Sequence, residues 1–149
     1  VFNYTELHAR YEIYLEQYSK TINIEALTMI DVAKRQVFPT VMRYATELAN
    51  SINTLRLTDA NLDVSAQSSL LQKISTLLNE LNNRINALHE ATTQAKQLQG
   101  DAYEQGIFYR DVVFNAMKEL RQIVDQLEVL VDYEMWPLPS YTKMLFRLS

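Results

Sequence analysis

The chain has 149 residues, 48% hydrophobic and 21% charged, with a net charge of −4, no cysteine, two glycines and three prolines. This excludes a disulfide framework, thiolate nucleophiles and Cys-based zinc sites. The 14 Lys and Arg are spread without a cluster, so no footprint for nucleic acid or an anionic membrane is present.

So few turn residues point to few, long elements within one domain, 1–149. No apolar run reaches the ~18 residues that a spanning helix requires, and no charged-then-apolar leader precedes the first element. The lack of cysteine suits a reducing, cytoplasmic compartment. A start at Val1-Phe2 without Met, inside what soon becomes a helix, is read as a piece of a longer chain.

The first helix is predicted over about 4–56. Asn3 can cap it, with Glu6 three residues on completing a capping box. Leu7, Tyr11, Tyr14 or Leu15, Tyr18, Ile22, Ala26, Ile30, Ala33, Val37, Val41, Ala45, Leu48, Ile52 and Leu55 then recur in steps of three and four, one apolar face throughout. Pro39 removes a donor and crowds the carbonyl four residues earlier, which predicts a kink or a short break near Val37 and Phe38. Around Lys20–Arg35 the residues Thr21, Ile22, Ile24, Thr28, Ile30 and Val32 are β-branched, so packing rather than propensity must hold this stretch.

Residues 56–65, rich in Asp, Asn, Thr and Ser, read as a loop, with Asp63 or Ser65 capping a second helix over about 66–99. Its seam is Leu71, Ile74, Leu78, Leu81, Ile85, Leu88, Thr92 and Ala95, coiled-coil-like in spacing. Gly100 supplies a left-handed terminator and Asp101, with Glu104 behind it, a new cap. A third helix, about 101–134, carries Ile107, Val113, Met117, Leu120, Val124, Leu127 and Val131 and stops at Pro137 and Pro139, before a short turn over about 140–146. The expected fold is all-α, an elongated antiparallel bundle of three long helices, with the first twenty residues projecting beyond the turn at Gly100.

Candidate chemistry is sparse. His8 and His89 have Thr5 and Asn86 three positions before them, so neither completes the Glu-x-x-His pair of a di-metal bundle. Two glycines cannot build a phosphate loop, and Glu25 and Asp31, six apart, lie on different helix faces. Aromatic residues are the informative excess, with Tyr11, Tyr14 and Tyr18 crowding the front of the first helix and Trp136 the tail. Ile24, Leu27 and Thr28 form a second flank that a three-helix bundle leaves uncovered. These seven residues are the expected interface; self-association would be another way to cover the flank.

The blocks "LHARYEIYLEQYSKTINIEALTMIDVAKRQVFPTVMRYATEL" (7–48), "YRDVVFNAMKELRQIVDQLEVLV" (109–131) and "WPLPSYTKMLF" (136–146) resemble the region that follows the catalytic domain of type III glutamine synthetases. Residues 56–99 carry only generic bundle character. The resemblance implies an accessory domain of an enzyme that joins ammonia to glutamate with ATP and Mg or Mn, within a large ring-shaped oligomer. It implies no catalytic, cofactor or metal residue here, and partners in the parent's catalytic domain and neighbouring subunits. A free-standing helical adaptor that binds a protein through its aromatic end is the alternative.

Overall fold

A computed structural model describes residues 3–139. All regular elements among them are helical: α1 (Tyr4–Val32), a π-turn (Ala33–Val37), α2 (Phe38–Thr58), α3 (Ser65–Gln97), α4 (Ala102–Phe108), a second π-turn (Tyr109–Val113) and α5 (Phe114–Leu130). The backbone is therefore helical in three long runs, 4–58, 65–97 and 102–130.

Short-range side-chain bonds set the starts of these runs. Asn3 Oδ1 accepts from the Glu6 amide at 2.9 Å, and Asp101, in an extended conformation, accepts from the Glu104 amide at 3.0 Å. Each satisfies one of the donors that a helix N-terminus leaves without an internal partner. Asp63 accepts from the amide of Ser65 at 3.0 Å and from its hydroxyl, which lowers the pKa of its carboxyl. Gly100, at φ +111°, turns the chain between α3 and α4.

Pro39 does not break the first run. The five residues ahead of it widen into a π-turn, closed by the Phe38 amide donating to the Ala33 carbonyl. This absorbs the missing proline donor and the crowding of the carbonyl four residues before it. Val37 and Val41 on either side stay fully buried.

Contacts divide the chain into two compact units. The first joins the chain up to Asp31 with Asn83–Arg121. Its core is Leu15, Ile22, Ala26 and Ile30 of α1, Ile85, Leu88 and Ala95 of α3, then Tyr109, Val113, Met117 and Leu120. Polar ties supplement it. Tyr109 donates its hydroxyl to Asn23 Oδ1 at 3.2 Å, Gln105 Nε2 donates to the Ala95 carbonyl at 3.0 Å, and Arg84 meets Glu119 at 2.8 Å. The Arg84 pair is more than a third exposed, so it adds at most about 1 kcal/mol. The second unit joins Val32–Asn82 with the described residues from Gln122 to Pro139. It buries Ala33, Val37, Val41, Ile52, Val64, Ile74, Leu81, Leu127, Val131 and Trp136. Each large apolar side chain so enclosed contributes about 1.5–3 kcal/mol.

Two expectations change. The first twenty residues do not all project: residues 3–14 are exposed, but Leu15 and Ser19 are already buried. The third run ends at Leu130 rather than near 134, because Asp132 organises a turn. Its Oδ1 accepts from the Glu134 amide at 2.8 Å, and its carbonyl from Met135 at 3.0 Å and Trp136 at 3.1 Å. The predicted turn over 140–146 lies outside the described residues.

Nothing stands within 4 Å of a Cβ built on Gly100. Gly100→Ala should therefore lose only backbone free energy, about 1–2 kcal/mol, for holding an L-residue at positive φ. A lower urea midpoint with an unchanged slope is the expected result, and an unaltered midpoint would contradict it.

Candidate docking surface

Helix α1 in the first unit carries most of the expected interface, and the helical repeat divides it between two faces. Leu15, Ser19, Ile22, Ala26 and Ile30 mark the buried stripe. At about 100° per residue, Tyr11 and Tyr18 fall beside that stripe on one flank and Tyr14 follows them further round, whereas Ile24 and Thr28 fall roughly opposite it with Ile13, and Leu27 lies at the edge of that far face away from the tyrosines.

The tyrosine flank lies against α4. The Tyr11 ring centroid is 6.5 Å from that of Tyr103, tilted by 44°. Together with Tyr14, Tyr18 and Arg110 these residues line a cleft of about 230 Å³. Gly106 allows the approach: a Cβ there would come within 3.1 Å of Leu15 Cδ2. Tyr11 and Tyr14 remain exposed, Tyr14 at 64%, and Tyr18 is half-buried. Arg110 pairs with its neighbour Asp111 at 2.9 Å, which holds the aspartate low and the guanidinium high.

The opposite face is aliphatic and open. Ile24 is 64% exposed and Leu27 39%, and Thr28 and Ile13 are exposed as well. Trp136 does not join either surface. It belongs to the second unit, is only 5% exposed, and its indole N–H is enclosed without a partner. Its expected place at an interface is corrected by the Asp132 turn, which folds the indole into its own unit.

Nothing in the described residues gathers three or more His, Asp or Glu side chains suited to a metal ion. His8 lies 3.2 Å from Glu12 and stacks on Tyr4 at 6.2 Å. The His89 carbonyl accepts from the hydroxyls of Thr92 and Thr93. No helix among the described residues is long and apolar enough to cross a membrane.

Sequence reasoning missed the polar members of the buried stripe. Ser19 and Thr40 are 5% and 2% exposed, and the only sign of this was their spacing within the apolar series.

An all-helical domain with an aromatic flank and an aliphatic back on its first helix is thus the class at hand. Residues 1–56 match the family described as the glutamine synthetase C-terminal domain. The chain is 30% identical over 149 residues to a glutamine synthetase of Butyrivibrio fibrisolvens, covering 99% of this chain and 21% of that protein. It is 26% identical to one of Bacteroides fragilis, covering 98% and 20%. It is 29% identical to a type-3 glutamine synthetase of Dictyostelium discoideum, covering 95% and 20%. The family match thus covers the first 56 residues, the similarity to glutamine synthetases runs along nearly the whole chain, and the chain spans about a fifth of the length of these relatives.

Burial raises the pKa of Tyr109, whose hydroxyl is held by Asn23. A raised phenol pKa stabilises the fold below the ordinary tyrosine value near ~10, and that stabilisation is lost as pH rises through the folded-state pKa. In an absorbance titration Tyr109 should ionise above the ordinary tyrosine value, concurrently with loss of helicity. Tyr109→Phe should remove this late step and cost about 1 kcal/mol at neutral pH.

Proposed function

We propose that this chain is the accessory C-terminal helical domain of a type III glutamine synthetase, not catalytic by itself, that docks on the parent's catalytic domain and neighbouring subunits. One observation carries this: the α1 residues Tyr11, Tyr14, Ile24, Leu27 and Thr28 are exposed in a chain that is about a fifth as long as its relatives. Tyr and aliphatic residues together supply the contact area that interfaces favour. The parent's reaction would be the ATP-dependent ligation of ammonia to glutamate in a cytoplasmic oligomer, with nucleotide and Mg or Mn held by the catalytic domain.

In this reading the long helices pair antiparallel about the turn at Gly100. Support comes from the first unit, where Gln105 reaches Ala95 and Arg84 reaches Glu119, so that partners recede from the turn by similar numbers of residues on both sides.

The test is Tyr14→Ser with Leu27→Ser, introduced into the full-length enzyme and into this chain alone. Losing two apolar contacts should weaken oligomer assembly at least roughly tenfold. The isolated chain should keep its helicity and denaturation midpoint, because both side chains are exposed. Unchanged assembly of the full-length enzyme would defeat the proposal.

A further inference from the structure

A second cleft in the first unit, of about 500 Å³, lies beside the turn at Gly100 and is lined by none of the residues of the two docking faces. Its volume is within the range of small-molecule sites. On one side α1 contributes Glu12, Glu16, Ser19 and Lys20; on the other stand Lys96 and the backbone at Gly100.

Three properties of the lining are informative. Ser19 is only 5% exposed, and its hydroxyl is enclosed with no hydrogen-bond partner. Buried hydroxyls are ordinarily satisfied, so a group entering the cleft would complete this one. The charges are mixed, two carboxylates and two ammonium groups, which suits neither a simple anion nor a simple cation but a small zwitterion. Glu12 also holds His8 at 3.2 Å, which leaves Glu16 as the carboxylate facing the cleft without a second duty in that pair.

The amide side chains narrow the class further. Asn23 uses its Oδ1 to accept from Tyr109, so its NH2 is the half left to donate. Gln105 uses Nε2 on the Ala95 carbonyl, so its Oε1 is the half left to accept. Both residues line the same cleft. One spare donor and one spare acceptor on residues lining the same cleft are the complement of a carboxamide.

We infer that this cleft binds an α-amino acid with a carboxamide side chain: its carboxylate faces Lys20, Lys96 and the Ser19 hydroxyl, its ammonium Glu16, and its carboxamide Asn23 and Gln105. No bond is made or broken, and the site is one of binding.

The 149-residue chain, labelled with ¹⁵N and titrated with L-glutamine, tests this without the rest of any enzyme. Saturable shifts are expected at the amides of Ser19, Lys20, Asn23 and Gly100, below about 20 mM ligand. L-glutamate, whose second carboxylate cannot donate to Gln105, should bind at least roughly fivefold more weakly, and butyramide, which lacks both charges, should not saturate. Ser19→Ala should weaken L-glutamine binding about fivefold, and Lys96→Met at least as much, with helicity retained in both. Absence of saturable shifts, equal binding of all three probes, or unchanged affinity in Ser19→Ala and Lys96→Met would each overturn the assignment. Because the isolated chain is used, such a failure would leave the docking proposal standing, and the Tyr14 and Leu27 substitutions do not touch this cleft.

Discussion

Burial of one narrow stripe per helix is the constraint on which the other features depend. Helical runs of this length are polar over most of their circumference, so little but that stripe is available to offset the conformational entropy of ordering the backbone. This explains how the β-branched segment around Ile22–Val32 can be helical. Ile22, Ala26 and Ile30 are buried, and their burial outweighs a propensity deficit of a few tenths of a kcal/mol per residue. The π-turn before Pro39 follows from the same demand. Proline disrupts the α-helical bonding pattern, and widening the preceding turn keeps the chain helical while Ala33, Val37 and Val41 remain enclosed. Ending the helix there would have left those side chains in water.

The stripe and the caps were legible in the sequence because both are governed by short-range spacing. Ile74, Leu81, Ile85, Leu88 and Ala95, and Val113, Met117, Leu120 and Leu127, are buried where steps of three and four put them. Asn3, Asp101 and Gly100 act where their chemistry placed them. Features that depend on a neighbouring element were not legible. The π-turn at Tyr109–Val113 has no proline or other local cue. Leu7, Tyr11 and Tyr14 continue the apolar spacing but are exposed, because packing on α1 begins only at Leu15. Trp136 reads as an interface residue by type, yet the turn at Asp132, visible only in three dimensions, encloses it.

Division of the candidate interface into two faces has the same origin. A list of exposed apolar residues treats Tyr14 and Leu27 as equivalent, but the helical repeat sets them on different sides of α1. Tyr11 and Tyr18 lie next to the buried stripe, and α4 and the π-turn after it supply Tyr103 and Arg110 beside them, so that side has a shaped cleft and polar tips. The Ile24, Leu27 and Thr28 side is open and lacks such a frame.

These two surfaces would respond differently to an occupant. A tyrosine keeps its hydroxyl hydrated when the face is open, so leaving it exposed costs less than leaving an isoleucine or leucine exposed. Covering the aliphatic back would thus yield the larger hydrophobic gain per side chain, with little directional preference. The tyrosine cleft has ring edges, hydroxyls and a guanidinium fixed against Asp111, and these reward only an occupant of matching shape and polarity. In a docked domain, affinity would come mainly from Ile24 and Leu27, and orientation from Tyr11, Tyr14 and Tyr18. A single long helix can meet both requirements because its two faces are set independently by the same repeat that fixes its core.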